Sequence, residues 1–209
     1  GGGGASFSRE WCRYGGGADP TTGSKVDHIV IDVCAYIRRV GWKKKTPFKM
    51  IAENFVAVVK KRYGHVGEAN VHLVADGYTT VSTKSACQTF GRAQQACADQ
   101  AVDDTNLLET DRETFLGNRT NKSAFLTYLG EKCRAAGMNY VQCKADADRP
   151  IVFKALSLAE GDKHVVVVAE DTDLLIIALH HHDSGKHGEV ILYPEDKHGT
   201  NSTTTPPAN

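Results

Sequence analysis

The chain has 209 residues, room for one domain or two at most with a real core. Its hydrophobic share of 41% and charged share of 24% are ordinary for a globular protein, and no apolar run reaches the roughly 18 residues of a membrane span. Lysine plus arginine equals aspartate plus glutamate at 25 each, so net charge indicates no polyanionic partner, although a local basic patch can still bind nucleic acid.

Gly1 to Gly4 lack the charged start and apolar centre of a secretory signal. The six cysteines, Cys12, Cys34, Cys87, Cys97, Cys133 and Cys143, form no CxxC pair and are scattered. That argues against a zinc site and against a disulfide framework. They read as reduced thiols, which points to an intracellular protein, nuclear or cytoplasmic, with no membrane partner.

Residues 1–25 are Gly- and Ser-rich without apolar period and read as a disordered tail. His28-Ile29-Val30-Ile31 is a β-branched run ending at Asp32. From Pro47 to Tyr63 the apolar residues Phe48, Ile51, Phe55, Val58 and Val59 follow a helical period, with Thr46 as its cap. Val71 to Val74 is a second strand, ending at Asp76. Ser82 to Gln100 reads as a polar helix carrying Lys84 and Arg92. Asp103 to Arg119 is acidic and irregular. Asn121 to Ala136 is helical, with Gly137 as its stop.

Tyr140 to Cys143 is a third strand, leading to Asp146 and Asp148, and Pro150 to Ala159 a helix. His164 to Val168 is a nearly continuous valine run, suited to a strand buried on both faces, and it ends at Asp171 and Asp173. Glu189 to Tyr193 is a fifth strand. Thr200 to Asn209 is polar, and residues 196–209 read as a second disordered tail around a domain spanning 26–195. Strands alternating with helices predict an α/β fold with a mostly parallel central sheet flanked by helices.

In such a sheet, ligands bind outside the carboxyl ends of the strands. Each of the four main predicted strands delivers aspartate there: Asp32, Asp76, Asp146 with Asp148, and Asp171 with Asp173. One aspartate after a strand is ordinarily a helix cap or Asx turn. The same placement after all four strands points to a site. Crowded carboxylates repel one another unless a multivalent cation neutralises them. Oxygen ligands without His or Cys favour Mg²⁺ or Mn²⁺. Two such ions about 4 Å apart can activate a water and stabilise the leaving oxygen of a phosphodiester.

Other features weigh less. His180-His181-His182, with His187 and His198, reads as a solvated turn rather than a metal site. Lys43-Lys44-Lys45 beside Trp42 reads as a solvated loop. Tyr78 suits either stacking on a base or packing at the sheet edge. There is no phosphate-binding Gly loop, serine elbow or HExxH.

The segments "IVIDVCAYIRR", "VHLVADGYTTVSTKSACQTFGR", "NKSAFLTYLGEKC", "CKADADRPIVFKAL" and "VVVVAEDTDLLIIALHHH" resemble the PIN-like domain of the flap-endonuclease (XPG-type) nucleases. The likeness is nearest to a divergent invertebrate group of PIN-like proteins. It implies a Rossmann-like three-layer architecture and a nuclease that cleaves DNA or RNA with Mg²⁺ or Mn²⁺, as two ions in the family pattern. It matches Asp32, Asp76, Asp146, Asp148, Asp171 and Asp173 to the family's metal-binding acids, and Lys84 and Arg92 to the pair that approaches the scissile phosphate. Here Asp146 and Asp148 stand where flap endonucleases usually have glutamate. The later aspartate and the duplex-gripping element are not present, so the sequence reads as a fragment. That departure supports an alternative: a catalytically impaired PIN-like scaffold or nucleic-acid-binding module.

Overall fold

A computed structural model describes residues 12–14, 19–22, 25–77 and 97–194. Its frame is a six-stranded sheet: β1 (Cys12–Tyr14), β2 (His28–Asp32), β3 (Val71–Ala75), β4 (Asn139–Gln142), β5 (Val165–Val168) and β6 (Val190–Tyr193). The strand order is β1-β6-β5-β2-β3-β4, and every pairing is parallel. From β2 the chain builds outward through β3 to β4, then returns to the other side of β2 with β5 and β6. The order therefore reverses between β2 and β5, the place where α/β sheets open a crevice.

The described helices are α1 (Val33–Tyr36), α2 (Phe48–Tyr63), α3 (Arg112–Gly117), α4 (Arg119–Ala135), α5 (Asp148–Leu158) and α6 (Asp173–His181). Alternation along each strand assigns them to two faces. Ile29, Ile31, Leu73, Val166 and Val168 pack into one core with Phe48, Phe55, Phe115, Phe125 and Leu129 from α2, α3 and α4. Val30, Val74, Val165, Val167 and Leu192 point the other way, against Ile151, Ala155, Leu174 and Ala178 from α5 and α6. The result is a three-layer, Rossmann-like α/β architecture. The period of two in a strand is what sends neighbouring valines of β5 to opposite cores.

Several expectations shift. Residues 12–14 lie in the stretch read as a tail, yet they form β1, joined to β6 by main-chain pairing that needs no apolar signature. Pro47 itself holds the cap position of α2, and Thr46 does not cap it. The stretch read as irregular contains α3, whose cap Asp111 accepts the Thr114 amide at 3.0 Å. Asn118 caps α4 through the Asn121 amide at 3.1 Å, so that helix starts two residues earlier than its apolar period suggests. Most of the predicted helix at 82–100 lies outside the described residues, and Cys97 to Gln100 are not helical. The predicted tail at 196–209 also lies outside them. Among the described residues, no helix is long and apolar enough to cross a membrane.

Candidate metal centre

Because all strands run the same way, the carboxyl ends of β2, β3, β4 and β5 share one edge. Asp32 is the last residue of β2 and the cap of α1. The amides of Cys34 and Ala35 donate to its Oδ1 at 2.9 and 3.2 Å. Asp76 follows β3 directly, and its Oδ1 accepts the Ala147 amide at 3.0 Å.

The two D-x-D pairs share one device. Asp146 Oδ1 accepts the Asp148 amide at 3.0 Å, and Asp171 Oδ1 accepts the Asp173 amide at 2.8 Å. Each first aspartate closes a turn, and each second one becomes the first residue of a helix, α5 or α6. The helix dipole favours an anion there. The cap positions themselves fall to Ala147 and Thr172, not to an aspartate.

Gly77 ties two of these loops together. Its amide donates to the Ala145 oxygen at 2.8 Å, and the Cys143 amide donates to the Ala75 oxygen at 2.9 Å. A Cβ on Gly77 would overlap the Cys143 carbonyl and sit 2.6 Å from the Lys144 carbonyl carbon. Only glycine allows the backbones to approach this closely. That contact explains the Asp76-Gly77 pair and holds Asp76 beside the loop that carries Asp146 and Asp148.

Two carboxyls carry the electrostatic signature of crowding. Burial, with Asp76 adding to it, pushes Asp32 up to about 6, even though two main-chain amides and Lys122 pull it down. Asp148 also rises to about 6, first through burial and then through Asp146, Asp171, Asp76 and Asp32. Four of the other five predicted acids therefore act on Asp148. The sixth, Asp173, is exposed and is not among the main groups that raise either carboxyl.

The donor set suits a hard divalent cation in kind, since it is oxygen alone. Cys34 stands next to the site, but burial raises its thiol to about 12, which does not suit a nucleophile. The spacing is open: among the described residues, no three His, Cys, Asp or Glu side chains come together at metal-binding distance. Asp32, Asp76, Asp146 and Asp171 each engage Oδ1 with a main-chain amide and keep Oδ2 for another partner. The group fits an ion by chemistry and charge, while its spacing here does not form a closed coordination set.

The predicted phosphate-contacting residues Lys84 and Arg92, and also Tyr78, lie outside the described residues. Lys122, near the start of α4, acts on both Asp32 and Cys34 and is the cation that the described fold brings to the acidic edge. Nothing in its local sequence marks it, because packing of α4 against the sheet is what puts it there.

The lesser candidates resolve into structure. Trp42 packs on Phe115 and Phe125 and donates to the Ile37 oxygen at 2.7 Å, so it belongs to the core. Lys45 pairs with Glu109. His180 and His181 end α6, while His182 Nε2 meets the Gly188 oxygen at 2.9 Å and His187 Nδ1 accepts the Asp183 amide at 3.0 Å. Cys34, Cys97, Cys133 and Cys143 are free thiols. Comparison with protein-family models, curated proteins and solved structures gives no match for this chain.

Proposed function

We propose that this protein is a divalent-metal-dependent nuclease of the PIN-like kind, hydrolysing phosphodiester bonds in DNA or RNA. The observation that carries the reading is the convergence of aspartates from four successive strands on one sheet edge, where burial first and neighbouring carboxylates second raise Asp32 and Asp148. Carboxyls raised by burial and by their neighbours are a cost to the fold that cations sharing the site would offset.

Asp32, Asp76, Asp148 and Asp171 would hold Mg²⁺ or Mn²⁺, with Asp146 and Asp173 in support. The ion would supply Lewis acidity toward the phosphate and lower the pKa of a water, so no protein nucleophile is required. Lys122 would draw the phosphodiester toward the edge and offset its charge, with Lys84 and Arg92 acting from the segment after β3.

A second reading has its own support. The open spacing of the carboxylates fits a nucleic-acid-binding scaffold whose acids no longer coordinate. Calorimetric titration of Mn²⁺ into the full chain, beside Asp171→Ala/Asp173→Ala and Asp148→Asn, separates the two. The nuclease reading expects saturable binding that the variants weaken, together with Mn²⁺-dependent cleavage of flap or single-stranded substrates. A folded chain that binds no Mn²⁺ overturns it and favours the scaffold.

A further inference from the structure

β3 is apolar except at one position. Between Val71 and Leu73 stands His72, only 6% exposed, on the face that packs against α5. Its strand neighbour in register is Val30, and the next residue on the same face is Val74. A valine would fill that place without polar cost. A buried imidazole instead brings two nitrogens that must be satisfied.

One nitrogen has a partner. His72 Nε2 lies 3.3 Å from Nδ1 of His28, the first residue of β2. The other, Nδ1, is buried and has no hydrogen-bond partner among the described residues. A core histidine kept only for packing has no reason to leave that atom unpaired.

The same side chain lines a cavity of about 360 Å³ between β3, β4 and α5, with Val74, Asn139, Val141, Pro150 and Lys154 around it. The volume falls in the range of small-molecule sites, and the walls are mainly apolar with a few convergent polar groups. β4 is the edge strand of the sheet, and Val141, 53% exposed, forms an open mouth. Lys154 projects from α5, and among the described residues no carboxylate pairs with it. His72 and Asn139 lie at or near the amino ends of their strands, Val74 and Pro150 carry the lining to within two residues of Asp76 and Asp148, and none of the acids lines the cavity.

We propose that this cavity binds a small organic monocarboxylate, its apolar body against Val74, Val141 and Pro150 and beside the His72 ring, its carboxylate on Lys154. Charge selects the class. Burial lowers both His28 and His72, with Lys154 adding to each, and His72 falls to about 4. Both rings are thus neutral at pH 7, and Lys154 supplies the positive charge at the cavity wall. One cation in an apolar pocket suits a monoanion with a hydrocarbon or aromatic body better than a phosphate dianion.

The test titrates sodium hexanoate, hexylammonium chloride and inorganic phosphate separately into the full chain labelled with ¹⁵N-histidine. Hexanoate should saturate and shift the His72 ring resonances, while the other two probes should not. Lys154→Met, at a half-buried helix position, should weaken hexanoate binding at least tenfold and leave the Mn²⁺ isotherm unchanged. Val141→Trp, which closes the mouth from an exposed position, should block hexanoate as well. The proposal is overturned if hexanoate fails to saturate, if Lys154→Met binds it as the parent does, or if phosphate or hexylammonium binds as tightly. Its failure leaves the metal reading untouched, since none of the acids takes part.

Discussion

In Gly77→Ala the new methyl group would overlap the Cys143 carbonyl and lie 2.6 Å from the Lys144 carbonyl carbon. These are backbone atoms, so no rotamer change relieves the clash, and the two loops must part. Parting breaks the bond from the Gly77 amide to the Ala145 oxygen and the bond from the Ala147 amide to Asp76 Oδ1. A neutral hydrogen bond contributes about 0.5–1.5 kcal/mol and one to a charged group about 1.5–3 kcal/mol. The expected loss of stability is therefore about 2–4 kcal/mol, read from urea unfolding followed by circular dichroism. Gly64→Ala is the control: nothing lies within 4 Å of its Cβ position and its φ is −63°, so its stability should stay within about 0.5 kcal/mol. Mn²⁺ affinity should fall in Gly77→Ala, because Asp76 is released from the loop bearing Asp146 and Asp148, and persist in Gly64→Ala. A loss below about 1 kcal/mol for Gly77→Ala would refute the interlocked loops.

Asp32→Asn keeps a capping oxygen and removes a charge whose folded pKa is raised from 3.8 to about 6. The native state then holds the extra proton between those values, so this charge lowers stability progressively from about pH 4 to 6 and fully above. Two units correspond to about 3 kcal/mol as an upper bound, so the metal-free variant should melt higher than the parent at pH 7 and nearly level with it at pH 4. A lower melting temperature at pH 7 contradicts the cost of burying this charge beside Asp76. Lys122→Met removes a cation that holds the Asp32 carboxyl down, so Asp32 should titrate at higher pH in ¹³C-carboxyl spectra. On the proposed nuclease reading, turnover should drop at least tenfold in that variant, and an unchanged Asp32 titration would place Lys122 outside the site. Mn²⁺ binding should weaken steeply from pH 7.5 to pH 5, as Asp32 and Asp148 take up protons, and isotherms at both values check this.

Much of the layered fold was legible because its signals are local. The valine run of β5 and the β-branched run of β2 mark strands buried on both faces, and parallel strands bring the aspartates that follow them to one edge. The paired turns at Asp146 and Asp171 use side chain and amide within two residues, so the spacing already contained them. β1 was not legible, since three residues held by main-chain pairing to β6 leave no pattern in their side chains.

By itself, then, the sequence determined which residues alternate, where strands end and that six aspartates follow those ends, all consequences of backbone periodicity over a few neighbours. Tertiary structure alone decided the rest. The contact of Gly77 with the Cys143–Ala145 backbone, the approach of Lys122 to Asp32 and the burial of His72 beside His28 join residues distant in the chain. Burial and charge proximity depend on distance in space, and only the packed sheet and helices set those distances.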